Sequence, residues 1–432
     1  MTLDFLANLV SGTIEYRKKE TFKKIRIDTR ILEKGDCFLA IVGKEKDGHD
    51  YIEEAMRKKA SVIIYSNDHS FSKEVSRIRV SDTKQALFLL ASYFLETYRK
   101  PVIAITGSNG KTTTKEWISY FLNDHYKVLK CPKNYNNKIG VSLTLLELDD
   151  TYDYLLLEFG MNHAKEIEEL SLLTHPDLAI ITNIGSAHIG NLGSKKKIFE
   201  AKKEILAGMD HGVLLVNGKD PFLRKMYNPN IFKVGLDCCV PKQVKTTWEQ
   251  TTFVLPYKGK EYFFETPSIG RLSLSNLLIA IQLSLFLCTP IEELQRKTKQ
   301  FSNLPGRLEK TKGKFILIDD SYNASYESAK NICSLLEKEK QSKIFIFGDF
   351  LELGKYRKRY HKKINRMLKK IPNKEVLLVG KETKRIRGKH FENNKKLKRY
   401  LQKINLQEKI VIVKGSRNMH LEEISQFLKE SL

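Results

Sequence analysis

The seven residues Thr106, Gly107, Ser108, Asn109, Gly110, Lys111 and Thr112 join an apolar run to an amphipathic one, and this junction constrains the fold more than any other feature. Residues 101–105 (Pro-Val-Ile-Ala-Ile) read as a short buried strand, and residues 115–122 place Trp117, Ile118, Phe121 and Leu122 on one helical face. A glycine-rich turn from strand to helix aims backbone N–H groups outward at the positive end of the helix dipole, which makes an anion site. Lys111 adds a full charge for the outer phosphates of a nucleotide, and Thr112 offers a hydroxyl to a magnesium ion. The full Walker pattern needs glycine at position 105, which is Ile105, so this is a shortened loop, G-x-x-G-K-T-T. A chance polar turn is the competing reading, and the flanking strand and helix favour phosphate.

The same strand-then-polar-end pattern recurs downstream. Residues 154–157 end in Glu158, 178–181 in Thr182 and Asn183, and 213–216 in Asn217 and Asp220. Apolar runs without alternation suit parallel strands buried on both faces, and ligands bind outside the carboxyl ends of such strands. Residues 231–267 look different, with two strand-like runs flanking Lys258 and Gly259, and predict an antiparallel insertion followed by a helix over 274–287. Beyond Pro305 the alternation restarts with strands at 315–318, 343–347, 376–379 and 410–413, predicting a second open parallel sheet. Before the loop, strands at 25–27, 37–42 and 61–65 and a helix over 51–59 predict a small α/β domain, with a helix over 82–99 leading into the loop. The expected organisation is therefore α/β in three domains: 1–81, a small N-terminal domain; 82–304, a central P-loop mononucleotide-binding parallel sheet; and 305–432, a Rossmann-like C-terminal domain.

Composition narrows the function classes. No apolar run approaches the roughly 20 residues needed to cross a bilayer, and residues 1–5 lack the basic start of a secretory signal. Six scattered cysteines show no metal-ligand spacing, so a reduced, cytoplasmic protein is expected. The formal charge is +24. It suits either a nucleic-acid or membrane surface or a highly anionic substrate, although 355–363 is locally dense in cations. No zinc-finger or RNP-like motif accompanies the charge, and nucleic acid is not expected as a partner.

Two strand-end residues have functional and bland readings. Glu158 suits a magnesium–nucleotide site, because that hard cation prefers oxygen, and a carboxylate at a helix start is the bland alternative. His188, beyond the next strand, could act in the site or simply tie a loop.

Residues 107–114 (Gly-Ser-Asn-Gly-Lys-Thr-Thr-Thr), 134–140 (Asn-Tyr-Asn-Asn-Lys-Ile-Gly), 158–163 (Glu-Phe-Gly-Met-Asn-His) and 183–188 (Asn-Ile-Gly-Ser-Ala-His) together resemble the Mur ligases, ATP-dependent amide-forming enzymes of peptidoglycan precursor synthesis. Residues 319–324 (Asp-Asp-Ser-Tyr-Asn-Ala), 348–354 (Gly-Asp-Phe-Leu-Glu-Leu-Gly) and 414–417 (Lys-Gly-Ser-Arg) resemble the D-alanyl-D-alanine-adding branch. At the N-terminus, 28–30 (Asp-Thr-Arg), 35–36, 38–40 and 47–50 (Asp-Gly-His-Asp) look like that branch's substrate domain.

The resemblance implies ATP and two magnesium ions as cofactors. UDP-N-acetylmuramoyl-tripeptide and D-alanyl-D-alanine are the implied substrates, and a monomer is expected. It implies that Gly107, Ser108, Asn109, Gly110, Lys111, Thr112 and Thr113 hold ATP phosphates. Asn276, Arg307, Asp320, Tyr322 and Asn323 would surround the rest of the nucleotide. Lys111, Glu158, His188 and Lys202 are the implied catalytic set, and Thr112, Glu158, His188 and Lys202 the metal ligands. Lys202 is implied to act as a carbamate, which turns a cation into an anionic ligand; Lys203 leaves that alignment open by one residue, and a solvated basic helix face is the bland alternative. Thr29, Arg30, His49, Asn134, Asn136 and Asn137 are the implied substrate-binding residues.

Three positions depart from the family: Gly270-Arg271-Leu272 replaces Gly-x-His, Ser325-Tyr326 replaces Asn-Pro, and Ser108 stands where threonine is common. A folylpolyglutamate synthase relative and a nucleotide-dependent nucleic-acid-binding protein are the rival readings. The motifs at 28–30 and 47–50 oppose the first.

Overall fold

A computed structural model of the chain describes residues 1–43, 46–72, 74–132 and 134–432. They form two compact units, Met1–Pro101 with Leu129–Leu155, and Val102–Val128 with Leu156–Leu432.

In the first unit a five-stranded sheet has the order Thr13–Tyr16, Ser76–Arg79, Val62–Tyr65, Cys37–Leu39, Ile25–Arg26. Thr13–Tyr16 is antiparallel at the edge and the rest are parallel. Successive side chains alternate between two cores, as the pleat requires. Cys37, Leu39, Val62, Ile64 and Ile78 face helices Leu3–Leu9 and Thr83–Thr97, while Phe38, Ile63 and Tyr65 face helix Ile52–Arg57. Burial on both faces explains why these strands read as unbroken apolar runs. Helix Thr83–Thr97 starts where Asp82 accepts the Lys84 N–H. Helix Lys138–Leu145 sends Ile139 and Leu143 to the first core.

In the second unit the strand order is Ile231–Val234, Val213–Asn217, Leu178–Ile181, Val102–Thr106, Tyr154–Glu158. Thr106 pairs with Ile181, and Ile181 with Val216, so the carboxyl ends of three strands share one rim. Two expectations are corrected here. Ile231–Val234 lies outside the antiparallel insertion and extends the parallel sheet beside Val213–Asn217; the insertion is the three-stranded sheet Lys242–Thr246, Thr251–Tyr257, Lys260–Thr266. The last sheet is mixed. Its order is Glu309–Lys312, Ile316–Asp320, Ile410–Lys414, Lys343–Phe347, Lys374–Val379, Lys389–Phe391, and its first strand runs antiparallel. Glu309–Lys312 is polar and half-buried, so no apolar run marks it.

The helix after the glycine loop spans Lys111–Leu122, four residues earlier than its apolar periodicity, because its first turn faces the loop with polar side chains. Its far end is held from helix Ile291–Gln300. The buried Lys297 ammonium donates to Tyr120 O at 3.0 Å, Phe121 O at 3.3 Å and Asn123 Oδ1 at 3.0 Å, and lies 2.9 Å from Asp124 and 3.2 Å from Glu293. A cation on the last carbonyls satisfies groups that the helix leaves open and complements its dipole. Lys297→Met removes the buried cation from Glu293, Asp124 and these carbonyls, although His125 and Arg296 stay beside the two carboxylates. It is expected to cost about 3 kcal/mol of stability, whereas Lys299→Met on the exposed face should cost less than about 0.5 kcal/mol. Thermal unfolding of the two variants checks this.

Candidate active site

The loop turns into its helix at Gly110, whose φ of 83° lies in the left-handed region. A Cβ there would stand 2.2 Å from Asn276 Nδ2, so the side chain of Asn276, from helix Arg271–Phe286, lies directly against the loop backbone. A Cβ at Gly107 would meet Thr182 Oγ1 at 1.8 Å. The loop is fastened to the neighbouring strand end through Asn109. Its N–H donates to Asn183 Oδ1 at 3.1 Å, and its carbonyl accepts from Thr182 Oγ1 at 2.6 Å and Asn183 Nδ2 at 2.8 Å. Ser108 Oγ accepts the Gly185 N–H at 2.8 Å, a role that a threonine hydroxyl could also fill.

Around the loop the sheet rim gathers charge. Lys111 Nζ donates to Gly107 O at 2.8 Å. Glu158, the last residue of its strand and 3% exposed, accepts from Thr112 Oγ1 at 2.8 Å, with Lys115 Nζ 3.9 Å from the same oxygen. Thr113 follows in the first helical turn. Lys202, in helix Lys195–Lys203, is 1% exposed, while Lys203 faces solvent and pairs with Glu200. Burial and then the charge of Lys111 hold Lys202 well below the ordinary lysine range, with Glu204 opposing. Burial, followed by the charges of Lys111 and Lys202, pushes His188 down to about 3. Burial also lowers Lys111, partly offset by Glu158. His188 is therefore neutral at pH 7. Burial is the first cause for all three basic groups, with Glu158 and Glu352 as the carboxylates that act on Lys111.

Segments after residue 304 complete the rim. Arg307 Nη2 donates to Thr112 Oγ1 at 3.1 Å, and its guanidinium lies 4.0 Å from the Tyr322 ring centroid, with Arg417 at 5.3 Å. The fully buried Lys414 fixes the loop before helix Tyr326–Leu336: its ammonium is 2.5 Å from Asp320 Oδ2 and 3.0 Å from Asn323 O. Burial pushes Asp320 up, and Lys414 pulls it back.

Ser325, where the family has asparagine, caps this helix and donates to Asn109 Oδ1 at 2.7 Å. Glu327 accepts from Ser186 N at 2.9 Å, Ser186 Oγ at 2.6 Å and Lys195 Nζ at 2.8 Å. Glu352 sits 3.1 Å from His188 Nδ1, and its carbonyl accepts the Gly190 N–H at 2.9 Å. At the departure over Gly270-Arg271-Leu272, the Leu272 N–H donates to Asn331 Oδ1 at 3.3 Å.

The residues expected to bind a second substrate lie in the first unit. Thr29 is buried in the turn Thr29–Ile31 after strand Ile25–Arg26, and the exposed Arg30 pairs with Asp28 at 2.6 Å. Asp28 chiefly, then Tyr135 and Tyr51, raise the pKa of Arg30, so the 134–137 segment lies near it. His49 is 7% exposed. Its Nδ1 is 2.6 Å from Asp47 Oδ1, and its Nε2 accepts the backbone N–H groups of Ser66 at 3.0 Å and Asn67 at 3.3 Å, a loop-fastening arrangement. Asn137 caps helix Lys138–Leu145 through the Gly140 N–H at 2.9 Å. Asn136 N–H donates to Asn134 O at 2.8 Å. Sequence reasoning gave no role to Lys115, Glu327, Glu352 or Lys414. Glu352 and Lys414 carried a signal, since they stand in the family-like segments 348–354 and 414–417.

Residues 21–95 match the Mur ligase family catalytic domain, 105–284 the Mur ligase middle domain, and 306–417 the Mur ligase glutamate ligase domain. The UDP-N-acetylmuramoyl-tripeptide–D-alanyl-D-alanine ligase of Bacillus subtilis is 33% identical over 100% of this chain and 98% of that protein; its Escherichia coli counterpart is 28% identical over 100% and 99%. A crystal structure of MurF from Acinetobacter baumannii superposes with a TM-score of 0.89 at 29% identity, covering 99% of this chain and 98% of that one. MurF from Thermotoga maritima, solved in complex with ADP, gives 0.83 at 25% identity over 94% and 97%. With this fold and with relatives matched end to end, the chain belongs to the Mur ligase family, ATP-dependent enzymes that form a peptide bond.

Proposed function

We propose that the chain ligates D-alanyl-D-alanine to UDP-N-acetylmuramoyl-tripeptide, through an acyl phosphate, in peptidoglycan precursor synthesis in the cytoplasm. End-to-end similarity to ligases named for these substrates carries the reading. In this reading 1–81 grips the UDP-muramoyl moiety, 82–304 binds ATP, and 305–432 brings in the dipeptide amine, in a monomer. Among the described residues no helix is long and apolar enough to cross a membrane.

The site's chemistry fits a nucleotide. Among the described residues Asn276 Oδ1 is buried without a hydrogen-bond partner beside Gly110, and Lys111 and Arg307 bring positive charge to the loop. A carboxylate and a triphosphate repel, so their approach needs that charge. Lys111 would hold the β- and γ-phosphates, Arg307 would steady Thr112 and face the nucleotide with Tyr322, and Lys414 would keep Asp320 and Asn323 in place. The terminal carboxylate of the tripeptide takes the γ-phosphoryl group and ADP is the leaving group; the dipeptide amine then attacks the acyl carbon, and phosphate and a proton leave as the amide forms.

The donor set also fits magnesium: the Thr112 hydroxyl and the Glu158 carboxylate are hard oxygens 2.8 Å apart, and the neutral His188 can offer a lone pair. Two magnesium ions, held by Thr112, Glu158, His188 and a carbamylated Lys202, would neutralise charge on the transferring phosphoryl group. A carbamate forms from a neutral amine, and the depressed pKa of Lys202 supplies one.

ADP release with ATP, magnesium, the UDP-linked tripeptide and a panel of amines tests the assignment. D-alanyl-D-alanine should be the amine that stimulates, and stimulation by a different amine alone would refute it. Lys202→Ala should abolish turnover and regain part of it with short-chain carboxylates, while Lys203→Ala stays active.

Burial alone would raise Glu327, but Lys195 and the Ser186 bonds hold it below the ordinary carboxylate range. Its tie is therefore complete above that range and is lost as pH falls through the lowered native value. Glu327→Gln should reduce kcat/KM about tenfold, the loss of one charge-assisted bond, and flatten that acid limb. A pH–rate comparison of the two proteins reads both effects.

A further inference from the structure

Residues 355–403 hold twenty Lys and Arg against three Asp and Glu, a net +17 of the chain's +24. The rest of the chain nets only +7, so a general lysine bias does not explain the concentration. Helix Arg357–Lys370 carries eight cations and no carboxylate in 14 residues. Its apolar side, Tyr360, His361, Ile364 and Leu368, is buried, and Lys358, Arg359, Lys362, Arg366, Lys369 and Lys370 are exposed on the other. At about 1.5 Å per residue this is a cationic rod roughly 21 Å long.

The turn Glu382–Arg385 extends the charged surface sideways. Arg357 reaches Glu382 at 3.4 Å, Arg385 reaches the same carboxylate at 3.1 Å, and Arg387 N–H donates to Asn365 Oδ1 at 3.1 Å. Among the described residues Arg357 is the one cation of the helix paired with a carboxylate. Nothing in the proposed ligase reaction uses this face.

We infer that this face docks the protein reversibly on an anionic phospholipid surface. Charge complementarity selects the occupant. Among the described residues, 355–403 exposes no large hydrophobic side chain, so it offers neither aromatic platforms for unpaired bases nor apolar anchors for a protein partner. The helix is fastened along its apolar side, so it can neither swing out into a nucleic-acid groove nor sink its apolar stripe into acyl chains. What remains is attraction to a sheet of phosphates, screened by salt.

Co-flotation of the full chain with phosphatidylcholine vesicles, with and without phosphatidylglycerol, tests the inference. Binding should require the anionic lipid at about 0.1 M salt and fall at least tenfold by about 1 M. A Lys358→Gln, Lys362→Gln, Arg366→Gln triple variant should bind about a hundredfold more weakly with ADP release and melting temperature unchanged. Lys369→Gln with Lys384→Gln and Arg385→Gln is the second variant should the first fail to fold. Absence of vesicle binding, equal binding to neutral vesicles, full binding by the variant, or tighter binding to duplex DNA than to the anionic vesicles would overturn the inference.

Discussion

The phosphate loop holds its shape because one residue, Asn109, is bonded through every polar part of its backbone and through its side-chain oxygen. Its N–H and carbonyl are committed to Thr182 and Asn183 on the adjacent strand end, and its side-chain oxygen to Ser325 from the last third of the chain. A glycine-rich turn has high conformational freedom, and an anion site works only if its N–H groups are fixed in advance. Here the fixing comes from outside the loop. The strand order that sets Val102–Thr106 beside Leu178–Ile181 is thus a condition for phosphate recognition, in addition to being a way of burying Ile103 and Ile105.

The charged rim follows the same logic. Burying Lys111 and Lys202 near one another, with His188 beside them, is unfavourable for the empty protein, and the lowered pKa values record that cost. The apolar sheet and the ties at Glu327 and Glu352 hold the arrangement in place. In the proposed reading, a bound anion would offset part of the desolvation cost of the buried Lys111.

Much of this was legible in one dimension, for identifiable reasons. Strands buried on both faces are unbroken apolar runs, so those ending at Glu158, Thr182 and Asn217 could be read directly, and the loop lay between two such signals. The polar edge strand Glu309–Lys312 and the half-buried Ile231–Val234 lacked that contrast. The first helical turn after Gly110 was hidden because its side chains serve the loop instead of the core. Long-range ties were invisible: Glu327 is 141 residues from Ser186, and Lys297 is 177 residues from Tyr120. The departure at Ser325 shows the converse. A changed motif residue signalled an altered turn, and its partner Asn109 emerges only in three dimensions.

Asn276 touching Gly110 has a consequence for how this protein can vary. Helix Arg271–Phe286 otherwise reads as a plain apolar core helix, tolerant of exchange among similar side chains. A single inserted or deleted residue before position 276 would turn its amide by about 100° away from the loop. The Asn276–Gly110 contact therefore constrains the length of this helix ahead of position 276 more tightly than the identity of its apolar residues.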